Sequence, residues 1–408
     1  MTRLYLLAFI AFALPVSNVF SQSAPSTQQL ANWIKRFPEA DVNKDGTLTA
    51  EEAIAYKDNV LAKRQTKNST SSKAKGAPST FSVDPAWDGP TFPKHSVFLK
   101  SPEEIKAIYQ STLKNNKPAV VSFDQPTNGA LRIVGTGHSF MAPGYRTLPH
   151  ICEASGFTQP LHTHTGGGIT GSTRYKWEQE NGIFQFDGKP LPKLLSSIAN
   201  ADWDAMMWGP YFNDRPQYYA CWIDFCHQYH PEMKFYLSDA WIQLFQLGEN
   251  PKSESFFTDE ELDRLNHERS EGYTNLVTTL RQDYPDKVFI MPTSNAMTIA
   301  AKHFIRGKLP GIEGLHKVIG GKDRSLWKDQ LGHLGPGFDR LEGYVFYATL
   351  YGKSPELIET KINFDGKSDF PSPALDKVFR KIAWQAVIDH PLSGVTDQDG
   401  DGVNDSAQ

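Results

Sequence analysis

Ser139 sits in ALRIVGTGHSF (130–140), where an apolar run of strand length ends in two glycines, His138 and a small hydroxyl residue. Two readings fit those residue types. A strand-to-helix turn accepts Gly and Ser readily, and Ser139 would then be an N-cap. Alternatively, Ser139 is a nucleophile held at the carboxyl end of a parallel strand, where open α/β sheets bind their ligands. A serine nucleophile needs a base to take its proton, a group to orient that base, and donors for the developing oxyanion. Late in the chain, Asp329 and His333 offer an acid–imidazole pair within LWKDQLGHLGPGFDRLEGYVFYATLYG (326–352).

A second chemistry is written in oxygen ligands. DVNKDGTLTAEE (41–52) has the spacing of an EF-hand calcium loop. Asp41, Asn43 and Asp45 fill positions 1, 3 and 5, Gly46 permits the sharp turn, and Thr47 offers its main-chain carbonyl. Thr49 takes position 9 and Glu52 the bidentate position 12, with apolar Leu48 at position 8 and helices predicted on both sides. Near the other end, DQDGDGVND (397–405) repeats the acidic spacing with Asp397, Asp399, Asp401 and Asp405, and Gly402 at the turn. It resembles the short aspartate repeats of thrombospondin type 3 modules, but no helix follows and the twelfth-place Glu is missing. A solvated acidic tail is the alternative. Calcium is expected as a structural cofactor, with none needed for catalysis.

The elements that must position these residues alternate along the chain. Apolar runs at 130–135, 203–208, 234–238 and 287–292 read as strands, and longer helical segments separate them. The clearest helix starts at FFTDEELDRL, where Thr258 and Glu261 form a capping box ahead of a run to about Gln282. Strands alternating with helices predict an α/β domain with a parallel sheet covered on both faces. The strands are continuously apolar, as burial on both faces requires. This domain is expected over 92–394, after a small helical calcium-binding module at 26–64 and a linker at 65–91. The linker is Ser/Lys-rich and then Pro-rich, without hydrophobic periodicity. Residues 395–408 read as an acidic calcium-binding-like tail, too polar to pack without help.

At the N-terminus, MTR precedes the apolar LYLLAFIAFALPV, and small residues follow at Val19 and Ser21. That is the pattern of a cleavable secretory signal peptide at 1–21, too short to span a bilayer comfortably. The mature chain is expected to be secreted or periplasmic and free of the membrane. A formal net charge of −4, without a dominant basic block, argues against nucleic acid as a partner. Three cysteines, Cys152, Cys221 and Cys226, make neither a disulfide framework nor a zinc signature. A Cys221–Cys226 bridge and buried inert thiols both remain open, and no residue pattern sets the oligomeric state.

With these blocks in order, the chain resembles the SGNH/GDSL hydrolases over most of 130–352. The Gly-His-Ser of 137–139 stands where that family has a Gly-x-Ser block, commonly with Asp or Asn in the middle. VFIMPTSNAM (288–297) resembles the strand and turn ahead of the late Asp–His block, and a helix follows that block as in the family. The resemblance implies a three-layer, flavodoxin-like sheet and a Ser139–His333–Asp329 acyl-transfer site. It also assigns oxyanion donors: the Ser139 amide, a glycine amide from GGGITGST (166–173), with Gly171 ahead of Gly168, and Asn213 in WGPYFND (208–214). The family spaces its acid and base as Asp-x-x-His, whereas here the pair is Asp-x-x-x-His. Asp329 or another group, Asp323 or a carbonyl, would therefore orient His333. The implied substrate is an ester-bearing small molecule or a decorated polysaccharide.

Two rival readings use other residues. His162 and His164 in LHTHT, with His227 and His230 in FCHQYHPEM, suggest a metal-dependent hydrolase, although no carboxylate stands at ligand spacing. Trp203, Trp208, Trp222 and Trp241 suggest sugar stacking by a non-catalytic, calcium-stabilised carbohydrate-binding protein, although such residues commonly fill cores.

Overall fold

The computed structural model describes residues 40–49, 129–165, 201–210, 216–247, 249–364 and 370–407, with a few isolated positions within 30–56 and 185–214. The proposed signal peptide, the linker, Gly168, Gly171, Asn213 and the side chain of His164 lie outside the described residues. Chain contacts divide the molecule into two compact units, 1–80 with 85–93, and 94–408 with 81–84.

The larger unit is built on five parallel strands: β1 (Ile133–Gly137), β2 (Leu161–Thr165), β3 (Ala205–Trp208), β4 (Lys234–Ser238) and β5 (Val288–Met291). Their order across the sheet is β2-β1-β3-β4-β5, with every pairing parallel. Every residue of β1 and β3 is buried, Thr136 included, as expected for central strands covered on both faces. The expected α/β class with a parallel sheet is therefore what the chain forms. The strand order reverses between β1 and β3, so the crevice beyond their carboxyl ends is the topological switch point. The edge strand β2 was not among the expected runs, because LHTHT alternates polar residues with no continuous apolar stretch.

Six long helices accompany the sheet among the described residues: α1 (Ala142–Ala154), α2 (Pro216–His227), α3 (Asp259–Asp283), α4 (Thr293–Ile305), α5 (Phe338–Tyr351) and α6 (Pro373–Ile388). Thr258 caps α3 as expected, accepting from the Glu261 amide at 3.2 Å. The return half of the capping box does not form, because the Glu261 carboxylate pairs with Arg264 at 2.6 Å instead. Helices α1 and α5 are in especially close contact. A Cβ on Gly144 would lie 2.4 Å from the Phe346 ring, and one on Gly343 would lie 2.2 Å from Thr147 Oγ1. Only glycine lets the two backbones approach this far. One helix leaves the turn that carries Ser139 and the other leaves the loop that carries His333. Their packing fixes both segments from behind.

The C-terminal stretch is not a solvated tail. Val403 pairs with Lys353 in an antiparallel bridge, the Ser354 amide donates to Gly402 O at 2.7 Å, and the Asn404 amide donates to Gly352 O at 2.8 Å. Trp384 of α6 donates its indole N–H to Asp397 Oδ2 at 2.8 Å. Residues 397–405 thus fold back onto the end of α5, held by backbone pairing and by the Trp384–Asp397 bond. Cys152 and Cys226 are buried free thiols, and the side chain of Cys221 lies outside the described residues.

Candidate active site

Ser139 stands two residues beyond the end of β1, at the switch point of the sheet. It is not an N-cap: Met141 holds that place for α1, without a side-chain capping bond. The Ser139 hydroxyl is exposed and lies 2.7 Å from His333 Nε2. His333 Nδ1 lies 2.7 Å from Asp329 Oδ2. A carboxylate on that side only accepts, so the imidazole proton sits on Nδ1 and the Nε2 lone pair faces the serine. Ser139 O–H therefore donates to His333, which donates to Asp329.

The additional residue between acid and base is absorbed by the backbone. Asp329 Oδ1 accepts from the amides of Leu331 and His333, each at 3.1 Å. The Gly332 amide donates to Asp329 O at 2.9 Å, and Gly332 takes a φ of +74°, which favours glycine. The Lys328 amide then closes the loop on His333 O at 2.8 Å. Among the orienting groups left open by the sequence, Asp329 is the one in contact. Asp323 pairs with Lys317 instead, at 2.7 Å.

His138 fills the place beside the serine where an acid or amide is usual in the resembled family. It is buried, and burial pushes its imidazole down to about 4, with the neighbouring His333 acting in the same direction. Kept neutral, it accepts the Phe140 amide on Nδ1 at 3.3 Å and faces Pro210 O with Nε2 at 3.4 Å. It thereby links the turn after β1 to the turn after β3. Gly209 of that second turn packs against the first, where an added Cβ would come within 3.1 Å of the Gly137 Cα. Of the three expected oxyanion donors, the Ser139 amide is the one within the described residues.

Three histidines of the metal-centred rival have described side chains, and each has another partner. His162 Nε2 lies 3.0 Å from Ser197 Oγ, and the ring stacks on Trp203. His227 Nε2 meets Met233 O at 3.2 Å and His230 Nε2 meets Ile198 O at 2.8 Å. A ring nitrogen facing a carbonyl must carry the proton and donate. Trp208 and Trp222 are fully buried in the core.

The two acidic loops share one internal pattern. Gly46 N donates to Asp41 Oδ2 at 2.9 Å, and Gly402 N donates to Asp397 Oδ2 at 3.2 Å. Thr47 N donates to Asp45 Oδ1 at 2.8 Å, and Val403 N donates to Asp401 Oδ1 at 2.7 Å. Glu52 reaches back to the Thr49 amide at 3.0 Å, drawing the twelfth position over the first loop. Leu48 is buried and Asn43 and Asp45 are exposed. In the second loop, Asp397, Asp399 and Asp401 bring carboxylate oxygens within 4.8 Å of one another, while Asp405 accepts from the Gln398 amide at 3.1 Å. Asp397 Oδ1 is buried without a hydrogen-bond partner. Three clustered carboxylates with an orphaned buried oxygen suit a hard cation.

No helix among the described residues is long and apolar enough to cross a membrane. No protein family, curated protein or solved structure matches this chain.

Proposed function

We propose that this protein is a serine ester hydrolase of the SGNH/GDSL type, with Ser139 as nucleophile, His333 as general base and Asp329 as its orienting acid. The observation that carries this reading is the pair of 2.7 Å contacts, Ser139 to His333 and His333 to Asp329, at the switch point of a parallel sheet.

In the reaction, His333 Nε2 takes the hydroxyl proton as Ser139 Oγ attacks the ester carbonyl carbon. The tetrahedral oxyanion is held by the Ser139 amide, with the Gly171 amide and the Asn213 side chain as the further donors. Collapse breaks the carbon–alkoxide bond, and His333 returns the proton to the departing alcohol. Water, deprotonated by His333, then attacks the acyl-enzyme and releases the acid. Each preorganised oxyanion donor is worth about 3–4 kcal/mol in such a transition state.

The substrate class is a carboxylic ester, with acetylated polysaccharide the natural target for an exported enzyme of this kind. Calcium is structural in this reading. It would be held by Asp41, Asn43, Asp45, Thr47 and Glu52 in the N-terminal loop, and by Asp397, Asp399, Asp401 and Asp405 in the C-terminal one. When bound, it supplies charge neutralisation and loop rigidity and takes no part in acyl transfer.

The test is hydrolysis of aryl acetates by wild type, by Ser139→Ala, and by wild type in chelator. Hydrolysis lost in the variant and kept in chelator at a temperature where the fold survives supports the reading. Hydrolysis kept in the variant and lost in chelator would move the chemistry to the histidines.

A further inference from the structure

Trp241 stands three residues beyond the end of β4 and touches both halves of the candidate active site. Its indole N–H donates to Gly332 O at 2.7 Å, one residue before His333. Its ring stacks on Phe140, one residue after Ser139, with centroids 4.8 Å apart and planes 7° from parallel. Phe140 in turn presents to the His333 imidazole edge-on at 5.4 Å. Trp241, Phe140 and Gly332 are all buried, so these contacts are not loosened by solvent. An added Cβ on Gly332 would lie 3.0 Å from Trp241 Nε1, which shows how tightly the loop is seated on the indole.

The base of the tryptophan is anchored as firmly. Two residues earlier, buried Asp239 accepts from Thr293 Oγ1 at 2.9 Å and from the Ser294 amide at 2.7 Å with one oxygen. The Asp239 amide donates to Met291 O at 3.3 Å, at the end of β5. Ser238 and Thr293 join their hydroxyls at 3.2 Å. The segment from β4 is therefore pinned to the first turn of α4, and it delivers Trp241 in one place.

We propose that Trp241 is a positioning residue that sets the distance between Ser139 Oγ and His333 Nε2. It acts as a strut, bonded to the loop of the base and stacked on the turn of the nucleophile. Among the described residues, this ring joins the two segments alongside the Ser139–His333 and Phe140–His333 contacts. The proposal rests on the Ser139–His333 assignment for its catalytic consequence, and on the contacts alone for its structural content. An indole suits the role because it offers a flat face and one directed donor. Phenylalanine keeps the face and loses the donor, and leucine loses both.

Two readouts test this on the full-length protein. In the first, the imidazole NMR signals of His333 are recorded with and without Ser139→Ala, in the wild-type and in the Trp241→Leu background. The serine substitution should shift them in the wild-type background and leave them nearly unmoved once Trp241 is gone. An equal shift in both backgrounds overturns the strut. This arm needs no catalytic activity, so it decides the proposal even if the chain is no esterase.

In the second, inactivation by a fluorophosphonate and hydrolysis of an aryl acetate are compared at a temperature where every variant is folded. Trp241→Leu should lose on the order of 10- to 100-fold in kcat and in labelling rate, with KM within about twofold. Trp241→Phe should recover part of that loss. A lowered unfolding midpoint with wild-type kcat and labelling rate would make Trp241 a packing residue only and overturn the proposal. If Trp241→Leu does not fold, Phe140→Leu removes the stack from the nucleophile side and should lower kcat and labelling in the same way. Unchanged rates in Phe140→Leu would overturn the strut. A wild type that neither labels nor hydrolyses removes the esterase reading and leaves the NMR arm standing.

Discussion

Asp329 and His333, four residues apart, meet through a 2.7 Å hydrogen bond because the chain between them turns on Gly332 at φ +74°. The aspartate uses its two oxygens differently. Oδ1 holds the amides of Leu331 and His333, and Oδ2 holds the imidazole. One carboxylate therefore builds the loop and orients the His333 imidazole at once.

Replacing Asp329 by Asn should separate those tasks. The amide oxygen can still accept backbone amides, but the group facing Nδ1 no longer enforces the tautomer with a free Nε2 lone pair. We expect kcat to fall on the order of 10³- to 10⁴-fold with little change in KM, as for an orienting acid lost from a serine triad. Steady-state kinetics checks this, and a loss below about tenfold would leave His333 working without Asp329.

Asp239 gives the fold a pH dependence. Burial pushes its carboxyl up to about 7 against the hydrogen bonds from Ser294 and Thr293, which act the other way. A folded pKa above the unfolded value means that its stabilising contribution is complete below about 4 and is lost as pH rises through about 7. Asp239→Asn keeps an acceptor and cannot ionise. The unfolding free energy of wild type relative to this variant should therefore decline between pH 4 and pH 7, by on the order of 3–4 kcal/mol. Denaturant unfolding at several pH values measures it.

The close approach of α1 and α5 predicts a strong response to one methyl group. Gly343→Ala would bring its Cβ to 2.2 Å from Thr147 Oγ1 and 2.9 Å from Ile151 Cδ1, side-chain atoms of α1 that must shift to make room. Overpacking of this sort costs about 1–3 kcal/mol. Because these helices back the turn that carries Ser139 and the loop that carries His333, the variant should show a lower unfolding midpoint and reduced kcat together.

Calcium should act on stability and not on chemistry. At a hundredfold excess over its dissociation constant, a single site adds about 2.7 kcal/mol to the folded state. Chelator should lower the unfolding midpoint of the wild type, and Asp399→Asn with Asp401→Asn should shrink that difference. A midpoint indifferent to chelator would remove the cation from both loops.

Much of the fold was legible because its determinants are local. The runs that became β1, β3, β4 and β5 are mostly apolar over strand length, and Thr258 announces α3 by its own capping chemistry. Ser139 and His333 were legible as residue types at the right kind of place. What the sequence left open was set by contacts between distant segments. Whether Asp329 could reach His333 depended on a left-handed glycine between them. The edge strand β2 gains its place by pairing with β1 and carries no apolar run of its own. The acidic C-terminal loop packs by backbone pairing with Lys353 and Ser354, which its composition conceals. Trp241 looked like a core or sugar-stacking residue, since nothing near it in sequence points to Phe140 or Gly332.

The central claim, that Ser139 is the nucleophile, is tested most directly by mass spectrometry after treatment with a fluorophosphonate. The account predicts a single stoichiometric adduct on the peptide containing Ser139, formed in the wild type and absent from Ser139→Ala. It further predicts that His333→Ala forms that adduct far more slowly while remaining folded. An adduct on another residue, or hydrolysis of esters by a protein that Ser139→Ala leaves unimpaired, would contradict it.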